Sequence, residues 1–400
     1  MINNLRITTI KVKLMKKYRL EPGERIILGA PTTSPMWDVV VIGAGPSGST
    51  SAYLSAKKGY RTLILDMRDL PRHKTCGGGV TWRAYEFLRG LGISIHSFEA
   101  YHKDVLIRGF GEEVRVSSDS GEFAIATVER ERFDKELLDE AVSQGAEFRR
   151  LRITGVVQKE DRVELSGTGI QARYVIGAEG AYSLTANSLG IRGRWSDEDL
   201  IFAIEGRAPL YDEPMFIVDA SPLGYGWIFP KESDSNAGVG GMVSKSREVM
   251  VAFERFSKAH GVRRVGAWII PTGGHGRPIA RGRALLVGDA AGLADPLTGE
   301  GLYYAFRSAH ECVTSLESDD PAMSYHSRMR DVLEELRLKR RARGIIVPRM
   351  GFFFKLFAAY PEIARRYMLT SIGKLDFREF WRWGLLRIPR AMLRRSLRRF

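Results

Sequence analysis

"DVVVIGAGPSGSTSAYLSAKKGYRTLILD" (residues 38–66) reads as a buried strand, a glycine turn, a helix and a second strand ending in an acid. Each glycine of the turn has a mechanical reason. Gly43 permits the tight bend, Gly45 lets a pyrophosphate approach the backbone, and Gly48 allows the helix to pack closely on the strand. Ala44, Pro46 and Ser47 complete a turn whose free N–H groups, at the helix start, face an anion. Asp66 follows Gly43 by 23 residues, where an acid ending the second strand can bind ribose hydroxyls. A lone glycine fingerprint is a weak signal, but strand, helix, second strand and acid stand here in order, which points to a dinucleotide.

Two later stretches repeat the device of a strand running into small residues: "YVIGAEGAYS" (174–183) and "RALLVGDAAGLADPLTGEGLYYAFRSAHE" (283–311). Through these three stretches the chain resembles the flavoprotein hydroxylase superfamily, whose FAD-binding fold is of the glutathione-reductase type. The resemblance implies that Gly288 and Asp289 approach the ribitol and pyrophosphate of FAD. It also implies that "PLTGEG" (296–301), with Pro296, Gly299 and Gly301, lies beside the flavin ring. "VERERFD" (128–134) resembles the superfamily's Arg-x-x-Phe-Asp and makes Arg130 a cofactor contact. The sequence departs from the pattern at Glu179, which stands where the superfamily carries Asp.

"KTCGGGV" (74–80) and "YGWIFPKESDSNAGVG" (225–240) narrow the resemblance to the geranylgeranyl reductases. That family has Cys-Gly-Gly after the second strand, matched by Cys76, Gly77 and Gly78. It also has Tyr-x-Trp-x-Phe-Pro followed by Gly-x-Gly, matched by Tyr225, Trp227, Phe229, Pro230, Gly238 and Gly240. The implied reaction is FAD-dependent saturation of double bonds in polyprenyl chains, with NAD(P)H or a ferredoxin as electron donor. Candidate substrates are archaeal-type ether lipids, the phytyl chain of chlorophyll and the prenyl side chain of a menaquinone.

The residues themselves agree in part. At period two, Tyr225, Trp227 and Phe229 share one face of a strand and offer an apolar wall with a hydroxyl and an indole N–H as handles; plain core packing is the competing reading. The Cys76 glycines let the loop lie against a flat ring, and a thiol in apolar surroundings keeps its proton and can donate it. Alternatively, Cys76 only completes a turn. Lys231 reads as a surface charge, and Cys312, inside an apparent helix, as a packing residue. A flavin monooxygenase or halogenase would share the scaffold, although a halogenase usually carries Trp-x-Trp-x-Ile-Pro where this chain has Tyr225 and Phe229. A non-catalytic binder is suggested by the tail alone.

The expected fold is α/β: a Rossmann-like, three-layer FAD-binding domain built on a mostly parallel sheet (residues 36–98, 125–190 and 275–318). An antiparallel-sheet substrate domain (99–124 and 191–274) interrupts it, and a helical basic region (319–400) follows. Residues 1–35 are expected to be a poorly ordered extension, with Met36 a candidate start.

Composition adds location. The chain carries 44% apolar residues and a net charge of +14. From residue 337 onward there are 18 Lys and Arg against 3 Asp and Glu, whereas the preceding 336 residues hold 43 against 44. The tail interleaves arginine with Trp, Phe and Leu, which suits the interface of an anionic membrane rather than a spanning helix; a solvated basic face is the plainer reading, and nucleic acid fits least. These features lead us to expect a cytoplasmic protein held peripherally at the inner face of the cell membrane. Two cysteines 236 positions apart make no disulfide framework, and no Cys/His spacing suggests a metal.

Overall fold

A computed structural model describes residues 36–118 and 121–397, with side chains to residue 387; the N-terminal extension lies outside the described residues. The central sheet runs in the order Ala280–Arg281, Ala284–Leu286, Gln171–Gly177, Trp37–Ile42, Thr62–Asp66, Glu147–Arg150. All neighbours pair in parallel except the antiparallel edge strand Ala280–Arg281, and a hairpin, Val156–Gln158 with Val163–Leu165, also joins Gln171–Gly177. Val39, Val40, Val41, Leu63, Ile64 and Leu65 are fully buried, as a parallel sheet covered on both faces requires. Pro46 at the first helical position starts Pro46–Lys57, and the small residues Ser47, Gly48, Ser51 and Ala52 let that helix pack against Leu302–Ser315.

A second sheet of seven strands forms a roof, in the order Arg263–Pro271, Leu200–Ala208, Ser235–Met242, Gly224–Pro230, Met215–Ile217, Asp104–Gly109, Glu112–Ser117. It is antiparallel apart from one pair: Asp104–Gly109 enters from a distant part of the chain and lies parallel to Met215–Ile217. A small third sheet, Gly79–Thr81, Ile125–Val128 and Phe98–His102, joins the roof to the cofactor-side layer.

Five helices follow: Pro321–Arg328, Arg330–Ile346, Met350–Ala359, Pro361–Ser371 and Phe377–Leu397. Among the described residues no helix is long and apolar enough to cross a membrane. The tail's basicity is only partly superficial, because Lys339 and Arg343 are buried. Arg343 bonds Thr272 Oγ1 at 3.2 Å and the Glu198 carbonyl at 2.7 Å, while Arg340 pairs with Asp199 at 2.8 Å. The helix Arg330–Ile346 is therefore a piece of the fold.

Candidate flavin site

The sheet order alone brings the three glycine turns together, because Ala284–Leu286, Gln171–Gly177 and Trp37–Ile42 are adjacent strands that all point the same way. At Gly43, Gly177 and Gly288 the contacts leave no room for a side chain. Gly43, at φ +104°, lies against the Ala178 carbonyl; Gly288, at φ +55°, lies against the Ser47 side chain. A β-carbon on Gly301 would sit 3.6 Å from Asp289 Oδ1, so the turn at 296–301 closes on the Gly288–Asp289 turn. Gly45 has nothing within 4 Å of where a β-carbon would stand. The following helix has no side-chain cap, so its first N–H groups are available to an anion. This open cradle fits a pyrophosphate.

Around the cradle, several predicted residues act first on the protein itself. Asp66 accepts N–H from Ala44 (2.9 Å) and Arg68 (3.0 Å), holding the glycine turn while lone pairs remain on both oxygens. Glu179 accepts from Ser183 Oγ (2.8 Å), Thr185 N (2.8 Å) and Thr185 Oγ1 (2.5 Å), and burial pushes its carboxyl up. It thus fastens the start of the short helix Leu184–Ser188. Arg130 is buried and paired twice with Asp134, at 2.7 and 2.9 Å. Burial works against its charge, but Asp134 and the neighbouring Cys76 more than compensate, and its affinity for the proton rises. Asp289 is pushed up by burial, an effect that Lys74 and Arg130 oppose.

The aromatic strand and the cysteine loop form one packed unit. Register places Tyr225 opposite Gly240, Trp227 opposite Gly238 and Phe229 opposite Asn236. A side chain on Gly238 would strike the Ile204 carbonyl and the Trp227 indole, which gives the first glycine of the Gly-x-Gly pair its physical reason. Gly77 is likewise bare because its β-carbon would lie 3.0 Å from both the Phe229 ring and Trp227 Nε1. Gly78 takes φ +73°. Trp227 and Phe229 are buried and Tyr225 half-buried, all three in a cluster with Ile125, Ala364, Met368 and Ile372. The last three belong to Pro361–Ser371 or follow it directly, so the C-terminal helices lie across the aromatic wall.

A polar chain that sequence reasoning missed crosses this unit. Trp227 Nε1 donates to Asn236 Oδ1 (2.8 Å), Asn236 Nδ2 to Glu205 Oε2 (3.3 Å), and Cys76 N to Glu205 Oε1 (2.9 Å). The only hint was an acid inside the apolar strand "LIFAIEGRA" (200–208). Glu205 is 2% exposed, and burial pushes its carboxyl above the ordinary range, partly offset by the Cys76 N–H and Asn236. Folding therefore favours the protonated form, and stability should fall as pH rises from the ordinary glutamate value of about 4.3 through the raised folded value. Glu205→Gln should lose that component, seen as a flatter Tm-against-pH curve than wild type as pH rises above the ordinary glutamate value; parallel curves would refute it.

Two expectations change. Lys231 is not a surface charge: it is 6% exposed, donates to the Val128 carbonyl and lies 3.9 Å from Glu129, and burial lowers its proton affinity. Nor are the surroundings of Cys76 apolar, because Arg130, Lys74 and Glu205 all lie near it. Cys312 is fully buried in the main core, a packing residue. Tyr225 donates its hydroxyl proton to the Thr298 carbonyl, tying the wall to the turn at 296–301, and burial raises its pKa.

The FAD binding domain family matches residues 36–253, more than half of the chain. A menaquinone reductase of Mycobacterium tuberculosis is 30% identical over 347 residues, covering 78% of this chain and 82% of the relative. Digeranylgeranylglycerophospholipid reductase 1 of Methanopyrus kandleri is 30% identical over 332 residues, covering 75% and 86%. The chain belongs to the FAD-binding geranylgeranyl reductase family. Among solved structures, a geranylgeranyl bacteriochlorophyll reductase-like protein of Thermoplasma acidophilum shares the fold of this reductase-family chain. Its TM-score is 0.72 at 23% identity, over 87% of this chain and 98% of the other. The family protein is thus a flavin-dependent oxidoreductase by membership, and its FAD-binding domain spans both the glycine cradle and most of the roof.

Proposed function

We propose that this protein reduces carbon–carbon double bonds of geranylgeranyl or related polyprenyl chains carried by membrane lipids. The observation that carries the reading is the aromatic wall of Tyr225, Trp227 and Phe229, which joins the Cys76–Gly78 loop on one side and the turn at 296–301 on the other. The helices over that wall contribute Phe357, Ala364, Met368 and Ile372, so the groups packed against it are apolar, as an isoprenoid chain requires of its surroundings. FAD, when bound and reduced, supplies the hydride. The chain's own residues orient the alkene, exclude water and hold a proton for the other carbon.

Three protic groups stand at or near this wall: the Cys76 thiol, the Tyr225 hydroxyl and the Tyr367 hydroxyl, the last pushed up to about 12 by burial. Cys76→Ala and Tyr225→Phe should each retain FAD, and the variant that removes the donor should lose about 10²-fold in turnover. Unchanged turnover in Cys76→Ala would remove the thiol from the reaction.

A lipid substrate accords with the outer tail. Ile345, Phe352, Leu385 and Leu386 are exposed among the exposed cations Arg349, Lys355, Arg382 and Arg387, a mixture that suits peripheral docking to an anionic cytoplasmic leaflet. The prenyl side chain of a quinone is the second reading, favoured by the equal identity to the mycobacterial menaquinone reductase. The test is mass spectrometry of lipids incubated with the purified protein, with NADPH and reduced ferredoxin as separate donors. Gains of two hydrogens per prenyl double bond are expected, on an ether lipid or on the quinone according to substrate. A gain of oxygen or halogen would overturn the reductase reading.

A further inference from the structure

The turn at 296–301 is held from an unexpected direction. Asp295 Oδ1 accepts the backbone N–H of Leu297 at 2.8 Å and of Thr298 at 3.3 Å, closing the turn like a clasp. Its other oxygen, Oδ2, receives Lys339 Nζ at 2.7 Å and the Tyr304 hydroxyl at 3.5 Å. Lys339 belongs to the helix Arg330–Ile346 in the basic tail and is itself gripped by Glu335 at 2.6 Å and Tyr304 at 3.1 Å. Asp295 is 2% and Lys339 5% exposed, so neither charge has water to fall back on. Around them, Arg83 pairs with Glu300, lies 3.7 Å from Glu335 and bonds the Tyr304 hydroxyl at 3.3 Å. The same turn presents the Thr298 carbonyl to Tyr225.

We propose that Lys339 is a positioning residue for the flavin-side turn: its ammonium fixes Asp295, which fixes the amides of Leu297 and Thr298, and through Thr298 the hydroxyl of Tyr225. A chain of direct contacts thereby runs from the tail to the aromatic wall. The physical basis is the cost of leaving a buried carboxylate unpaired, which far exceeds the net worth of the pair itself. Without Lys339, Asp295 must take up a proton or turn toward water, and in either case its grip on the two amides changes. This inference rests on the reading of 296–301 as the flavin-side turn, but its primary test needs neither bound flavin nor turnover.

That test is amide hydrogen exchange of the full chain, followed in peptides covering 295–301. Lys339→Met should accelerate exchange there at least tenfold, and Lys339→Arg, which keeps the charge, should restore most of the protection. Arg343→Met is the control for general loosening, since Arg343 is buried in the same helix but bonds Thr272 and Glu198 instead. It should lower Tm while leaving exchange at 295–301 within twofold of wild type. Should Lys339→Met fail to fold, Asp295→Asn decides: its amide oxygen can still accept from the turn, but its NH2 then faces the Lys339 ammonium and that tie is lost, so exchange should rise severalfold. Wild-type protection in Lys339→Met, or in Asp295→Asn when that variant decides, would overturn the proposal, as would equal acceleration in Arg343→Met. A second readout, the visible circular dichroism of bound FAD, should change in Lys339→Met and recover in Lys339→Arg. Failure to reduce any prenyl lipid, with the exchange results as expected, would count against the reaction and leave the positioning role standing.

Discussion

Gly48→Ala should yield a folded chain that no longer retains FAD through purification. The β-carbon would overlap the Gly43 carbonyl oxygen and stand 3.1 Å from Ala178 Cβ, so strand, turn and helix could not keep their spacing. Gly43 cannot yield either, since it holds φ +104°, donates to the Leu65 carbonyl at 2.7 Å and is pressed against the Ala178 carbonyl. The movement must therefore open the turn at Gly45, where the phosphates would sit. We expect the FAD dissociation constant to rise at least about 100-fold, or about 2.8 kcal/mol. Flavin absorbance of the purified variant, with far-UV circular dichroism to show folding, measures it; stoichiometric FAD in Gly48→Ala would show that the cradle does not hold the pyrophosphate.

Trp227→Ala should be the costliest change in the roof. Removing a buried indole from a packed cluster costs about 3–5 kcal/mol through lost transfer energy and the cavity left behind. Here the indole also separates Gly77 from Gly238 and satisfies Asn236, so its loss frees the first link of the chain that ends at the Cys76 N–H. Trp227→Phe should cost less but likewise leave Asn236 without its donor. Denaturation midpoints, read by a probe of the roof, give the comparison. A cost below about 1 kcal/mol for Trp227→Ala would mean that the wall is open to solvent rather than packed on the loop.

The cofactor layer was legible because its demands are local. A backbone that must bend at Gly43 or be approached at Gly45 writes itself into a few adjacent residues, and the same device recurs at 177 and 288. The aromatic motif was legible as a pattern, but its reason was not: that Gly77 is bare against Phe229 and Trp227, and Gly238 against Trp227 and the Ile204 carbonyl, becomes evident only when the loop and the strands are brought together. Glu205, Asn236, Asp295 and Lys339 escaped for the same reason, since each finds its partner far along the chain. Lys231 was misread because a lysine after proline in a polar stretch looks solvated, and the carbonyl that satisfies it lies 103 residues earlier. The tail's charge count was correct, yet it could not tell cations that grip Asp199 and Asp295 from those that face outward.

The strand order of the central sheet also sets a timetable. Trp37–Ile42 waits for Gln171–Gly177 on one side, and Gln171–Gly177 waits in turn for Ala284–Leu286. The ribosome releases that last strand, and the turns at 288 and 296–301, only after every strand of the roof has emerged. Parallel pairing across such separations closes late. A nascent chain ending near residue 253, the limit of the family match, holds the glycine cradle at 43–48 and most of the roof but not the sheet's final parallel strand. Chains stalled before Ala284–Leu286 emerges would therefore present an unfinished sheet edge to the cell's quality control, and the clasp between Asp295 and Lys339 closes later still, once the helix Arg330–Ile346 has been made.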